Sequence, residues 1–148
     1  MEDGPQCRVS NCMIKDKMVV IGGGGHAKVV TSIVKKLAMF EILGYTDNKN
    51  HGPLLGMPYL GTDETLPGLK DQYLHLSAVL GIGFLGEGNV RERLTETLHR
   101  LGFILPAIVS PDAVLNEDVE IGEGTVVMDG VVINSGTRIG RFAIINTC

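Results

Sequence analysis

The sequence predicts two architectures in one chain: a small parallel α/β sheet, followed by the opening coils of a parallel β-helix. Three observations carry that reading. The apolar run Met18-Val19-Val20-Ile21 leads directly into four glycines, Gly22 to Gly25, and then into Val29, Val30, Ile33, Val34 and Leu37 at helical spacing. Strand-like and helix-like stretches then alternate as far as Pro106, the pattern of a parallel sheet with helices on its faces. From Val109 the period becomes six, with Val109, Leu115, Ile121, Val127, Ile133, Ile139 and Ile145 all aliphatic.

Residues 1–16 have no sustained period and contain Gly4 and Pro5, so they read as a disordered extension or an expression-tag remnant. The first strand is Met18 to Ile21, and the glycines make a tight turn into the first helix. A second strand, Ile42-Leu43-Gly44-Tyr45, ends in the polar turn Thr46-Asp47-Asn48. The stretch to about Lys70 is rich in Gly and Pro and predicts loops with one or two short elements. Leu76 to Ile82 is a further buried strand, and Val90, Leu94, Leu98 and Leu101 share one face of a helix. Phe103-Ile104-Leu105 is a last short strand before Pro106. Residues 17–106 therefore form a Rossmann-like unit and residues 107–148 the β-helical one.

The six-residue period fits neither an α-helix nor a simple strand, whose side chains repeat at about 3.6 and 2. A chain that turns a corner every six residues explains it, with one large aliphatic inside each side of the coil. Ala113, Val119, Thr125, Val131, Thr137 and Ala143, four places after each of the first six aliphatics, are small or β-branched, as positions near a corner require. Gly122, Asn134, Gly140 and Asn146 directly follow an aliphatic, and Gly and Asn supply unusual backbone angles, so these are the expected corners.

Composition removes several function classes. The net charge is −4 and the basic residues are scattered, which leaves no footprint for nucleic acid or an anionic membrane. No apolar run reaches the about 18 residues of a membrane span, and the start lacks the plan of a signal peptide, so a cytoplasmic setting is expected. Cys7, Cys12 and Cys148 are odd in number and lack paired metal-ligand spacing, so they read as free thiols and no metal site is expected.

The hexads resemble those of hexapeptide-repeat acyltransferases, whose left-handed β-helix uses three hexads per coil; residues 109–144 then make two coils. Four further segments narrow the resemblance: Val20-Ile21-Gly22-Gly23-Gly24-Gly25-His26, Gly44-Tyr45-Thr46-Asp47-Asn48, Gly81-Ile82-Gly83 with Asn89-Val90-Arg91, and Ser110-Pro111 before the hexads. In this order they are similar to the sialic acid O-acetyltransferase and UDP-4-amino-sugar N-acetyltransferase family. The resemblance runs from about Met18 to Cys148. It implies that the N-terminal unit holds UDP or a UDP-sugar, and that a homotrimer of β-helices holds acetyl-CoA between subunits. It also implies a β-helix histidine that deprotonates the sugar amine or hydroxyl for attack on the thioester. That histidine follows the pair matched here by Asn146-Thr147, and this chain stops at Cys148. The expectation is therefore the sugar-nucleotide half of an acetyltransferase, with no catalytic residue and no acetyl-CoA bound by this chain. The chain departs from the family pattern at Asn48, where a second acidic residue is usual, and in Phe84-Leu85-Gly86-Glu87-Gly88, which lengthens the stretch after Gly83.

The candidate substrate-binding residues are Gly22, Gly24, Gly25, His26, Asp47, Gly83, Arg91 and Asn146. Gly22, Gly24 and Ala27 fit G-x-G-x-x-A between strand and helix, which either directs backbone N–H groups at a phosphate or simply packs helix on strand. His26 either donates to a phosphate or is a polar turn residue. Asp47 either accepts from a ribose hydroxyl or a base or forms a plain Asp-Asn turn. Arg91 either reaches a phosphate or is a solvated helix charge in Arg91-Glu92-Arg93. Asn146 fits a corner better than an acceptor pocket. His51, His75 and His99 have no Ser or Cys partner in a recognisable triad. Two rival readings stand beside the acetyltransferase: an NAD-linked oxidoreductase domain, which the glycine turn and Asp47 suit but the hexads do not, and a non-catalytic nucleotide-sugar-binding or assembly module.

Overall fold

Asp16–Ile21 (β1) is the central strand of a four-stranded parallel sheet in the computed structural model, which describes residues 15–84 and 89–147. Its neighbours are Phe40–Thr46 (β2) on one side and Leu76–Leu80 (β4) on the other, with Tyr59–Gly61 (β3) beyond β2. Every pairing is parallel, and the order is β3-β2-β1-β4. Met18, Val19, Val20 and Ile21 are almost completely buried, which is why the run carries no polar alternation: both faces of β1 are covered. The predicted strand to Ile82 ends at Leu80, although the Gly81 N–H still donates to Ile21 O at 2.7 Å.

The helices divide between the two faces. Gly25–Leu37 (α1) packs Val30, Ile33 and Val34 with Met18 and Val20, whereas Leu66–Gln72 (α2) and Val90–Arg100 (α3) pack with Val19, Ile21 and Leu80. The alternation of side chains along β1 sends successive residues to the two cores. α1 ends at Ala38 in the left-handed region, φ 56, and its N–H donates to Lys35 O at 3.2 Å. In the Gly/Pro-rich stretch the chain forms β3, a 3-10 turn at Asp63–Thr65 and α2.

The expected strand at Phe103-Ile104-Leu105 is reduced to one rung. Ile104 alone bridges Ser77 in parallel, with Ala78 N–H on Ile104 O at 2.9 Å and Ile104 N–H on Leu76 O at 3.1 Å. Gly102 takes a positive φ of 77 on one side and Pro106 has no N–H on the other, so the pairing cannot lengthen.

Residues 107–147 turn into seven two-residue strands: Ile108–Val109 (β5), Val114–Leu115 (β6), Glu120–Ile121 (β7), Val126–Val127 (β8), Val132–Ile133 (β9), Arg138–Ile139 (β10) and Ile144–Ile145 (β11). Each ends on one of the period-six aliphatics. β5, β8 and β11 stack in one parallel sheet, β6 with β9 in a second and β7 with β10 in a third, so three hexads close one coil. This is the start of a parallel β-helix. Leu115 is nevertheless 41% exposed, because β6 has only β9 as a neighbour.

The corners are not where the sequence places them. The left-handed residues are Asp118, Gly124, Gly130, Gly136 and Phe142, three places after an aliphatic rather than one, so Gly122, Asn134, Gly140 and Asn146 are not the positive-φ corners. Gly122 answers a different constraint: a Cβ there would lie 2.7 Å from Arg141 N and Gly140 C of the next coil. Gly140 has open space. Cys7, Cys12 and Cys148, and all but the last two residues of the predicted 1–16 extension, lie outside the described residues; Asp16 already belongs to β1.

The two glycines should therefore respond differently to the same change. Gly122→Ala must push two backbone segments apart and is expected to destabilise the fold by about 1–3 kcal/mol. Gly140→Ala is expected to stay within roughly 0.5 kcal/mol of the parent. Urea denaturation of both variants measures the difference.

Candidate functional site

All pairings in the sheet are parallel, so the carboxyl ends of β1, β2 and β4 meet at one edge. From that edge β1 leads to α1 on one face, while the chain after β4 leads to α3 on the other. The divergence opens a crevice, as it does wherever strand order reverses in an open α/β sheet. A cleft of about 410 Å³ lies there, lined among others by Gly22, Thr46, Asp47, Asp63, Arg93 and Thr97.

The four glycines of the turn serve two purposes. Gly22 has φ +105, and a Cβ on it would sit 2.8 Å from Ile82 Cγ1; a Cβ on Gly23 would sit 2.6 Å from Tyr45 Cε2. The fold needs glycine at both. Gly24 and Gly25 have nothing within 4 Å of where a Cβ would stand and no positive φ, so packing does not demand glycine there. Their bare backbone leaves the start of α1 open, with no side-chain cap and no acidic residue in its first turn. The unpaired N–H groups and the positive end of the helix dipole make that opening attractive to an anion.

Asp47 ties the second strand to this turn. Its Oδ2 accepts from Gly23 N–H at 2.7 Å and lies 3.7 Å from His51 Nε2, and its Oδ1 accepts from Lys49 N–H at 3.0 Å. The following loop is held by Tyr45, which is fully buried and uses both halves of its hydroxyl: it donates to Gly52 O at 2.7 Å and accepts from His51 N–H at 3.0 Å. Thr46, also fully buried, donates to Asp63 Oδ1 at 2.8 Å and so brings the 3-10 turn after β3 to the cleft.

Of the residues singled out from the sequence, Gly22 and Asp47 line the cleft, and Gly24 and Gly25 form its adjoining turn. His26, Gly83 and Arg91 gather elsewhere, at the seam between the sheet and the coils. The Arg91 guanidinium donates to Ile82 O and, at 3.2 Å, to Phe142 O, and lies 4.9 Å from the centre of the Phe84 ring. His26 packs beside Gly83, and its buried Nε2 has no hydrogen-bond partner among the described residues. Burial, and secondarily the Arg91 charge, push the His26 pKa down. Asn146 is exposed beyond β11 and accepts from Thr147 N–H at 2.9 Å; it does not line the cleft. The lengthened stretch after Gly83 falls on residues 85–88, outside the described residues.

Thr46, Asp63, Arg93 and Thr97 belong to the cleft and were not singled out from the sequence. Arg93 and Thr97 stand one turn apart, each directly before a core leucine of α3, Leu94 and Leu98. That i, i+4 pair on the border of the apolar face was the available signal. Among the described residues no cluster of His, Cys, Asp and Glu suits a metal, and no helix is long and apolar enough to cross a membrane.

Residues 17–98 match the family described as PglD N-terminal domain. No curated protein matches the chain. Among solved structures, a variant of perosamine N-acetyltransferase from Caulobacter crescentus, in complex with CoA and GDP-perosamine, is 38% identical with a TM-score of 0.79. The match covers 88% of this chain and 60% of that one. The acetyltransferase domain of PglB from Neisseria gonorrhoeae FA1090, in complex with acetyl coenzyme A, is 32% identical over 90% of this chain and 62% of that one, with a TM-score of 0.75. WeeI from Acinetobacter baumannii AYE is 26% identical over 84% of this chain and 58% of that one, with a TM-score of 0.69. The chain thus spans about three fifths of the length of these proteins.

His26 provides a measurable consequence of the seam. In an NMR titration its imidazole should titrate below the ordinary value of 6.5, and Arg91→Met should move it part of the way back. The sign for stability follows from the lowered folded value: the contribution is complete above pH 6.5 and is lost as pH falls through the folded pKa.

Proposed function

Because the chain belongs to the PglD N-terminal domain family, that of sugar acetyltransferases, we propose that it binds a nucleotide-linked amino sugar or sialic acid for acetylation. The observation that carries this is the pair Gly24 and Gly25, bare of side chains where packing has no need of it, at the uncapped start of a 13-residue helix. An oxyanion fits there, and a diphosphate held at that point has the cleft with Asp47 beside it for the nucleoside. The family resemblance implies UDP; the Caulobacter structure holds GDP-perosamine. Either nucleotide supplies the same diphosphate.

In the whole enzyme, read as a cytoplasmic homotrimer, acetyl-CoA is the acyl donor. That molecule carries several phosphates and calls for clustered cations. The outward residues of the coils offer exposed Val114 and Val132 on one side and the ion pair Glu120 with Arg138, 3.4 Å apart, on another. Among the described residues neither side gathers the cations that such a donor needs. No histidine lies between Val109 and Cys148 either. On this reading the chain holds and orients the sugar nucleotide.

Two experiments test the reading. Gly24→Val fills space that is open in the fold, so the variant should fold normally yet lose at least about tenfold in affinity for a nucleoside diphosphate by calorimetry. Undiminished affinity would remove the turn from the site. In a thiol-release assay with acetyl-CoA and amino-sugar nucleotides, the 148-residue chain should show no steady turnover, since loss of a general base alone costs roughly 10²–10⁴ in rate. Sustained turnover would require a base elsewhere in the chain.

A further inference from the structure

We propose that the cleft selects guanine, and that Asp63 is the residue that determines this choice. The inference rests on the nucleotide-sugar reading above and goes beyond it by naming the base. Its first ground is orientation. Thr46 is fully buried and its hydroxyl donates to Asp63 Oδ1 at 2.8 Å, so the carboxylate is fixed before any ligand arrives. Asp63 Oδ2 takes no hydrogen bond among the described residues, and Asp63 lines the cleft. An aimed, unused acceptor favours a ligand with N–H donors at that point.

The second ground is the arrangement of the cleft as a whole. Its strand side carries acceptors, Asp47 and Asp63, while its helix side carries the donor Arg93, with Ile82 and Leu94 as apolar walls for a ring. Guanine has this polarity. Its N1–H and exocyclic amine are neighbouring donors that a carboxylate can accept together, and its O6 and N7 are acceptors that an arginine reads in bidentate fashion. Uracil instead presents one N–H between two carbonyl oxygens, whose lone pairs would face the carboxylate. Adenine has a ring acceptor next to its amine, with the same conflict. The acid that favours guanine therefore also acts against the other two, which is how specificity is commonly obtained.

Calorimetry of the full chain with GDP and with UDP, for the parent and for Asp63→Asn, tests the proposal. Asparagine keeps an oxygen for the Thr46 hydroxyl and replaces the aimed acceptor with a donor, so the fold should persist; a thermal melt checks this. The expected result is GDP tighter than UDP by roughly tenfold or more in the parent. Asp63→Asn should then lose at least about tenfold for GDP and bind UDP no worse than the parent does. Arg93→Met, a second variant away from the carboxylate, should weaken GDP more than UDP. UDP bound as tightly as GDP, or GDP affinity unchanged in Asp63→Asn, overturns the guanine assignment while leaving the nucleotide site in place. Binding of neither nucleotide by the parent overturns both.

Discussion

The bond from Gly23 N–H to Asp47 Oδ2, 2.7 Å long, governs what the cleft can offer a ligand. It joins the ends of β1 and β2, and it removes one N–H from the glycine turn before any anion arrives. A carboxylate beside a glycine turn would normally repel an anion. Here its charge is already shared with Gly23 N–H and Lys49 N–H, and His51 stands 3.7 Å away. The backbone N–H groups left without partners among the described residues are therefore those of Gly24, Gly25 and the start of α1. The same bond keeps Asp47 at the mouth of the cleft, next to the acceptor wall that Asp63 completes.

α1 links that site to the coils. Its first residues form the turn, and its last turn carries Lys36, which reaches Asp112 and Asp129 of the β-helix at 2.7 and 2.6 Å. Between these ends its apolar stripe belongs to a core that also contains Ile108, Val126 and Val127. At about 1.5 Å per residue, a helix of this length spans roughly 20 Å, so one rigid element sets the spacing between the glycine turn and the coils. Arg91 makes a second connection, from Ile82 O beside the cleft to Phe142 O at a coil corner.

Much of this was legible in the sequence because it is local. The hexads specify β5 to β11 one residue at a time, and the order strand, glycines, helix specifies the turn. What escaped depends on contacts distant along the chain. Asp63 gains its place only because Thr46, seventeen residues earlier, reaches it through a hydrogen bond. Arg91 and Arg93 look alike as helix charges, but two residues of helix turn them through about 200°, which sends Arg93 to the cleft and Arg91 to the seam. The corners were misplaced by two positions because glycine serves two needs in the coils. At Gly124 and Gly136 it allows a left-handed turn, and at Gly122 it allows the next coil to approach; only the backbone separates the two.

At neutral pH Lys36 adds ion pairs to the seam between α1 and the coils, and the titration of Lys36 and Asp129 bounds the window in which those pairs persist. The Asp112 and Asp129 hydrogen bonds raise the Lys36 pKa, and the Lys36 and Ser110 hydrogen bonds lower that of Asp129. A lowered folded value means that the Asp129 contribution is present above the ordinary carboxylate value of 3.8 and is lost as pH falls through the folded pKa. A raised value means that the Lys36 contribution is present below 10.5 and is lost as pH rises through its folded pKa. Between those limits the pair is intact, but it is exposed to solvent and screened by salt. Most of the attachment must then come from the apolar contact of α1 with Ile108 and Val126, and the ion pairs set its register. The orientation of the turn relative to the coils thus depends on packing that neither pH nor salt removes near neutrality.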